Sequence, residues 1–516
     1  MSRSRLVAAF LFASVLALIG IPSLARAAPG NSASKVSTAP VAKPTVEGPV
    51  SGGKDTISLV GPSADPLTEN GYVADEYFFG GTATAYEKAK PLGTDGRWKF
   101  EESRTAPYTS RMVVYRPEDP EDFSGTVYVE WLNVTAGFET PAVYGLVHNQ
   151  VVREGAAWIG VSAQAGGVQG TDAILDIAGA PPGGLRVTDP ARYGALTHPG
   201  DLYSFDIFSQ AGVAAAGDAK GVKPLGDLKT KRVIATGKSQ AAFRLVSYVN
   251  GVQPIAGVYD GFLISSRHRS GAPLGPTSFG LPDDTVPEIA IIRTDSDVPV
   301  IVVQTETDLE QFQSTRARQP DSRRFRLWEV AGSAHADTYA GPIGFTDTGD
   351  GAAEKTILDP SAANGGPLGC AVPINSGPAF AVMSSALSHL DDWVRDGTAP
   401  PRAPRIKATP SKSTGSDAPQ VVRDEHGNAV GGIRTPLVDV PLATLTGKPN
   451  AGSSLCFLFG TTTPFDAATL ATLYPTHADY VRKFDASAGA AVKAGFWLKP
   501  ESESFKAAAK QLSIGA

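Results

Sequence analysis

Cysteine is nearly absent from this chain of 516 residues: there are two, Cys370 and Cys456, whereas a thiolate-built metal centre needs three or four clustered ligands. An excess of basic residues is missing as well. Lys and Arg number 46 against 52 Asp and Glu, a formal net charge of −6, so nothing in the charge balance favours a nucleic-acid partner. The metal-hydrolase signature H-E-x-x-H does not occur, and there is no internal repeat. After the first segment no apolar run approaches the roughly 20 residues needed to span a bilayer. What the chain has in quantity is glycine (55) and proline (40), alongside 42% hydrophobic residues. That much apolar material does not fit disorder or a collagen-like repeat, and a loop-rich globular protein is expected.

Residues 1–27 read as a secretory signal peptide. Arg3 and Arg5 give a basic start, residues 6–21 are apolar and uncharged, and Ala25-Arg26-Ala27 forms an A-x-A cleavage site. The apolar stretch is short for a membrane span and Pro22 follows it, so a secreted or periplasmic protein with no stable membrane anchor is expected. In that oxidising setting Cys370 and Cys456 either pair, with a long-loop contribution of about 4 kcal/mol in the chain-entropy picture, or remain two buried thiols.

Residues 28–55 lack hydrophobic periodicity and read as a flexible lead-in. From residue 56 short β-rich runs separated by turns (residues 72–85 and 111–115) suggest antiparallel edge strands. At Thr126 the rhythm changes to strand, Gly-containing loop, helix, strand, with further apolar runs at 156–161, 232–235, 255–264, 298–303 and 324–330. Strands alternating with helices imply a doubly wound, mostly parallel sheet. Long Gly/Pro-rich insertions fall at 163–200, 265–297 and 337–377, and loops of that length are usually functional or disordered. The main α/β domain is thus placed at residues 56–400. Residues 401–516 read as a Pro-, Lys- and Ser-rich linker (400–419) followed by a helical C-terminal extension packed on that domain.

Five G-x-S triplets occur, ending at Ser32, Ser63, Ser162, Ser239 and Ser454, so the bare triplet carries no information. Context separates them. Only Gly237-Lys238-Ser239-Gln240-Ala241 has a β run immediately before it and a helix-compatible run immediately after. That is the strand–turn–helix setting of a nucleophile elbow, where small flanking residues avoid clashes; an ordinary Ser capping a βα turn is the competing reading.

A serine nucleophile needs a base and an orienting acid, following it in the order Ser, Asp/Glu, His in this setting. Of the histidines well downstream, His389 sits inside an amphipathic helix, and His426 and His477 lie in polar turns. His335 alone follows a strand pattern (325–330) through a small-residue loop. Between Ser239 and His335 a buried-strand pattern (298–303) leads to two acids, Glu306 and Asp308. The strand–turn–acid pattern favours Asp308, with Glu306 kept as the alternative. Asp337 reads as a loop-shaping residue. An oxyanion hole would draw on the backbone N–H of Gln240 and on one from the loop after Trp131, at Asn133 or Val134.

These stretches resemble the α/β-hydrolase superfamily, and more closely a long secreted bacterial branch of it. The matching segments include Val129-Glu130-Trp131-Leu132-Asn133, His198-Pro199-Gly200-Asp201, Gly237-Lys238-Ser239-Gln240, residues 304–308, residues 330–337 and Leu455-Cys456-Phe457-Leu458-Phe459-Gly460. Lys238 stands where His or Glu is common. The resemblance implies an α/β-hydrolase fold and a serine carboxylic-ester hydrolase using Ser239, His335 and Asp308 or Glu306, with no cofactor and no metal. A small-molecule or oligomeric ester is the expected substrate, with the natural ester and the oligomeric state left open. The same residues serve a peptidase or amidase, and a noncatalytic ligand-binding protein on the same fold is the remaining alternative.

Overall fold

The structure, a computed structural model, describes residues 41–62, 65–170, 183–276, 283–362, 369–409 and 418–514. The signal peptide read at residues 1–27 and the lead-in as far as residue 40 lie outside the described residues. The described residues form one compact unit.

The strands in chain order are β1 (Thr45–Glu47), β2 (Tyr72–Lys88), β3 (Phe100–Pro117), β4 (Thr126–Trp131), β5 (Ala157–Val161), β6 (Lys220–Gly221), β7 (Arg232–Lys238), β8 (Gly261–Ser265), β9 (Val300–Thr305) and β10 (Phe325–Val330). They build one ten-stranded sheet in the order β10-β9-β8-β7-β4-β5-β3-β2-β1-β6. From β10 to β5 every pairing is parallel. Strands β4, β5, β8, β9 and β10 are buried at every position, as near-continuous apolar strands covered on both faces should be. On the other side β5–β3, β3–β2 and β2–β1 are antiparallel, which is the edge expected from the aromatic, turn-punctuated N-terminal runs.

Helices cover both faces. On one, α2 (Ser204–Ala215) and α3 (Gln240–Ser247) pack through Phe205, Phe208, Phe243 and Leu245; on the other, α1 (Tyr144–Arg153) and α5 (Ala379–Asp396) pack through Leu146, Val147, Phe380 and Leu387. A short α4 (Glu306–Glu310) follows β9. The C-terminal helices α6 (His477–Lys493) and α7 (Lys499–Ala509) deliver Tyr480, Phe484 and Phe505 into the α1/α5 core.

The segment read as a linker, 400–419, behaves differently over its described residues. Residues 400–406 run along β10, where the Arg326 and Trp328 side chains donate to the carbonyls of Pro400 and Pro401 and Glu329 accepts from the Ile406 N–H. Proline removes backbone donors, but distant side chains satisfy the carbonyls that remain. Of the two fates open to the cysteines, the bridge is present: Cys370 and Cys456 are bonded.

Candidate active site

Strand β7 ends at Lys238, Ser239 follows at φ 61° and ψ −125°, and α3 begins at Gln240. Positive φ in a non-glycine residue is uncommon and marks a strained turn. The neighbours must be small for it to form. A Cβ on Gly237 would lie 2.9 Å from Leu245 Cδ1 and 3.3 Å from Ala241 Cβ. The Ser239 N–H donates to the Ser265 carbonyl (3.0 Å), tying the elbow to β8.

Ser239 Oγ donates to His335 Nε2 at 2.9 Å, and His335 Nδ1 donates to Asp308 Oδ1 at 2.7 Å. All three side chains are nearly inaccessible. His335 lies in the loop after β10, and Phe312 packs edge-on against its ring at 4.9 Å between centroids. Asp308 is the third residue of α4 and forms a capping box with Thr305: its Oδ2 accepts from the Thr305 N–H (2.7 Å) and hydroxyl (2.8 Å), leaving Oδ1 for the imidazole.

Glu306, the alternative acid, points elsewhere. Its oxygens accept from the N–H groups of Gly332 (2.7 Å) and Gly447 (3.1 Å) and from Arg423 (2.9 Å), so it fastens the C-terminal extension to the loop that carries His335. The oxyanion-hole candidates separate in the same way. The Asn133 N–H donates to the Thr140 carbonyl (3.0 Å), and the Asn133 side chain accepts from Thr135 N–H and donates to the Lys238 carbonyl. Asn133 therefore shapes the loop and offers no free backbone donor, a correction to its candidacy. No hydrogen bond engages the Val134 or Gln240 N–H among the described residues.

Two further charged groups lie beside the site: Lys238, given no role by the sequence, and Asp337, read there as loop-shaping, which accepts from the Ala340 N–H at 2.8 Å. Lys238 is buried, and its ammonium donates to the carbonyl of His335. Burial lowers its pKa while Asp308 and Asp337 push it back up. Asp337 is raised to about 6 by burial, partly offset by the Ala340 N–H and Lys238, and its Oδ2 has no hydrogen-bond partner among the described residues. Burial and then Lys238 lower His335, against Asp308. For Asp308 burial acts upward, but His335, Lys238 and Thr305 outweigh it and the carboxyl ends below its usual value.

The Ser239–His335 pair opens into a pocket of about 210 Å³, lined mainly by apolar groups including Ala142, Leu146, Phe345, Leu455, Leu458 and Phe459. Trp98 and Tyr193 are buried in packing and do not line this pocket.

The chain matches the alpha/beta hydrolase domain family over residues 46–507. It belongs to that family. The hydrolase returns no match among curated proteins. Its fold is similar to that of esterase Est22 (12% identity over 55% of this chain and 78% of that one, TM-score 0.28) and of a putative acetyl xylan esterase from Bacteroides fragilis (11%, 56% and 70%, 0.25). A putative dienelactone hydrolase from Klebsiella pneumoniae gives 12%, 48% and 85%, with a TM-score of 0.22. Family membership rests on the match over residues 46–507, and these distant likenesses add no argument about substrate.

Proposed function

We propose that this hydrolase is an exported serine carboxylic-ester hydrolase working through an acyl-enzyme. The observation that carries the reading is the hydrogen-bond chain from Ser239 Oγ through His335 to Asp308, beginning at a strained elbow and facing an apolar pocket. His335 Nε2 takes the Ser239 proton as Oγ bonds to the ester carbonyl carbon. The carbonyl oxygen becomes an oxyanion, held by the Gln240 and Val134 N–H groups. Collapse of the adduct breaks the bond to the alcohol oxygen, which leaves with the proton from His335. Water then attacks the acyl-enzyme by the same route in reverse, giving the acid and free Ser239. The buried ring is held neutral and Asp308 fixes its tautomer, so the base is ready at neutral pH.

The decisive test is Ser239→Ala. The variant should retain its circular dichroism, lose p-nitrophenyl ester hydrolysis and fail to label with a fluorophosphonate. Retained turnover would refute the assignment. Export is supported by the N-terminal signal pattern and by the disulfide, which needs an oxidising compartment. N-terminal sequencing of protein recovered outside the cytoplasm should begin near Ala28.

A further inference from the structure

The disulfide sits against the pocket. Cys456 opens a short helical turn, Cys456–Leu458, and the residues around it, Leu455, Leu458 and Phe459, form one wall of the cavity that contains Ser239 and His335. The same turn touches the histidine loop: the Leu458 carbonyl accepts from the N–H of Ala336, next to His335, at 3.0 Å. Cys370 belongs to a second stretch that braces the turn. Ala371 donates to the Ala451 carbonyl (2.7 Å), Asn375 N–H donates to the Phe459 carbonyl (2.8 Å), and the Asn375 side chain donates to the Gly332 carbonyl (3.1 Å). The bridge thus closes a bracket around the wall and the loop carrying the base. Packing is tight there, since a Cβ on Gly452 would lie 2.9 Å from Cys370 Cα and 3.1 Å from Cys456 Sγ.

Building on the esterase reading above, we propose that the Cys370–Cys456 bridge and the turn at 455–459 are the substrate-selecting part of this site, and that they select an ester with a medium-length apolar arm. The volume sets the size. An apolar cavity of about 150 Å³ accepts benzene, so by proportion the 210 Å³ here suits an arm of roughly eight carbons. The lining fits the same chemistry, because most of its side chains are apolar and favour a hydrocarbon, with Asn133, Thr135, Thr140 and Lys238 the polar residues beside Ser239 and His335. The bridge contributes by keeping the turn in place, so that the wall is preorganised rather than ordered by the substrate.

The test measures kcat/KM on p-nitrophenyl acetate, butyrate, octanoate and laurate, and on the matching alkyl acetates, with fluorophosphonate labelling as a separate readout of Ser239. An optimum near eight carbons in either series supports the proposal. A flat profile in both, with Ser239 still labelled, overturns it while leaving the serine-hydrolase reading intact; absence of labelling removes the reading beneath it. Tris(2-carboxyethyl)phosphine acts on this bridge alone, since the chain has no other cysteine. Reduction, or Cys370→Ser with Cys456→Ser, should raise KM for the preferred ester about tenfold and lower the octanoate-to-acetate ratio by a similar factor. An unchanged ratio in labelled, reduced protein counts against the bridge. Because the cysteine variants risk misfolding, Leu458→Trp and Phe459→Ala test the wall independently. The first should cut the octanoate-to-acetate ratio at least tenfold, and the second should move the optimum to longer chains. If neither changes the length profile, the wall does not select substrate.

Discussion

Two clusters of buried charge on one sheet differ in a way that separates architecture from chemistry. On the antiparallel side, Arg111 and Arg192 face Glu76 and Glu139. Arg111 pairs with both acids, Arg192 reaches Glu76 at 2.7 Å, and Tyr193 and Ser162 add hydroxyl donors. Two cations meet two anions, so the charge is balanced. At the ends of β7, β9 and β10, Lys238 alone faces Asp308 and Asp337 around a neutral His335. With both acids ionised, that group is one positive charge short. It becomes neutral when the imidazole gains a proton, which happens in the proposed reaction as Ser239 attacks. The first cluster is closed and holds two loops against a hairpin; the second is complete only when the base is protonated.

The largest break in this contrast is Asp308→Asn. It keeps the shape and the capping position but removes the charge and the acceptor that fix the tautomer, and in Ser-His-Asp enzymes such a change costs about ten-thousand-fold in kcat. A comparable fall is expected here in p-nitrophenyl ester turnover, with thermal unfolding little changed. Glu306→Gln should do the reverse, lowering the melting temperature while kcat falls far less. If the two variants exchange these outcomes, Glu306 is the acid.

Next in size is Arg111→Met. It leaves Glu139 in the core without its cation and Glu76 with Arg192 as its remaining cation, and breaking a buried pair from one side costs about 3–5 kcal/mol. The variant should unfold at markedly lower denaturant while the pH dependence of kcat/KM in the remaining folded protein is unchanged. A shifted pH profile would mean that the two clusters communicate.

How far these roles could be read from the sequence depends on how local their causes are. The elbow was legible because an apolar run, a required glycine and a helix start are consecutive at residues 231–248. Choosing between Glu306 and Asp308 was harder, since both leave the same strand end, yet Thr305-Glu306-Thr307-Asp308 spells a capping box, and the cap is what aims Asp308. The Asn133 amide could not be assigned, because its Thr140 partner is set by a loop fold with no side-chain signature. The packed course of residues 400–406 and the pocket wall at 455–459 depend on partners far away in the chain, and composition sees neither.

The smallest expected effect sharpens the contrast most. Lys238 is the cation of the incomplete cluster, and its charge helps hold His335 below the usual histidine range. The histidine must be neutral to act, so the acid limb of kcat/KM in the wild-type enzyme should lie below about 6.5. Removing the cation in Lys238→Met favours the imidazolium, raises the His335 pKa and should move that limb to higher pH. Asp337→Asn removes an anion that partly balances Lys238, so its limb should move to lower pH. Combining the two leaves Asp308 as the one charge beside the ring and restores the cluster's net charge of the wild type, so the limb should return towards its original position. A positional role through the Lys238 bond to the His335 carbonyl would instead lower kcat in both variants carrying Lys238→Met, and the second substitution would not bring the pH profile back. Additive shifts that fail to cancel in the double variant would show that charge balance is not what sets the proton affinity of His335.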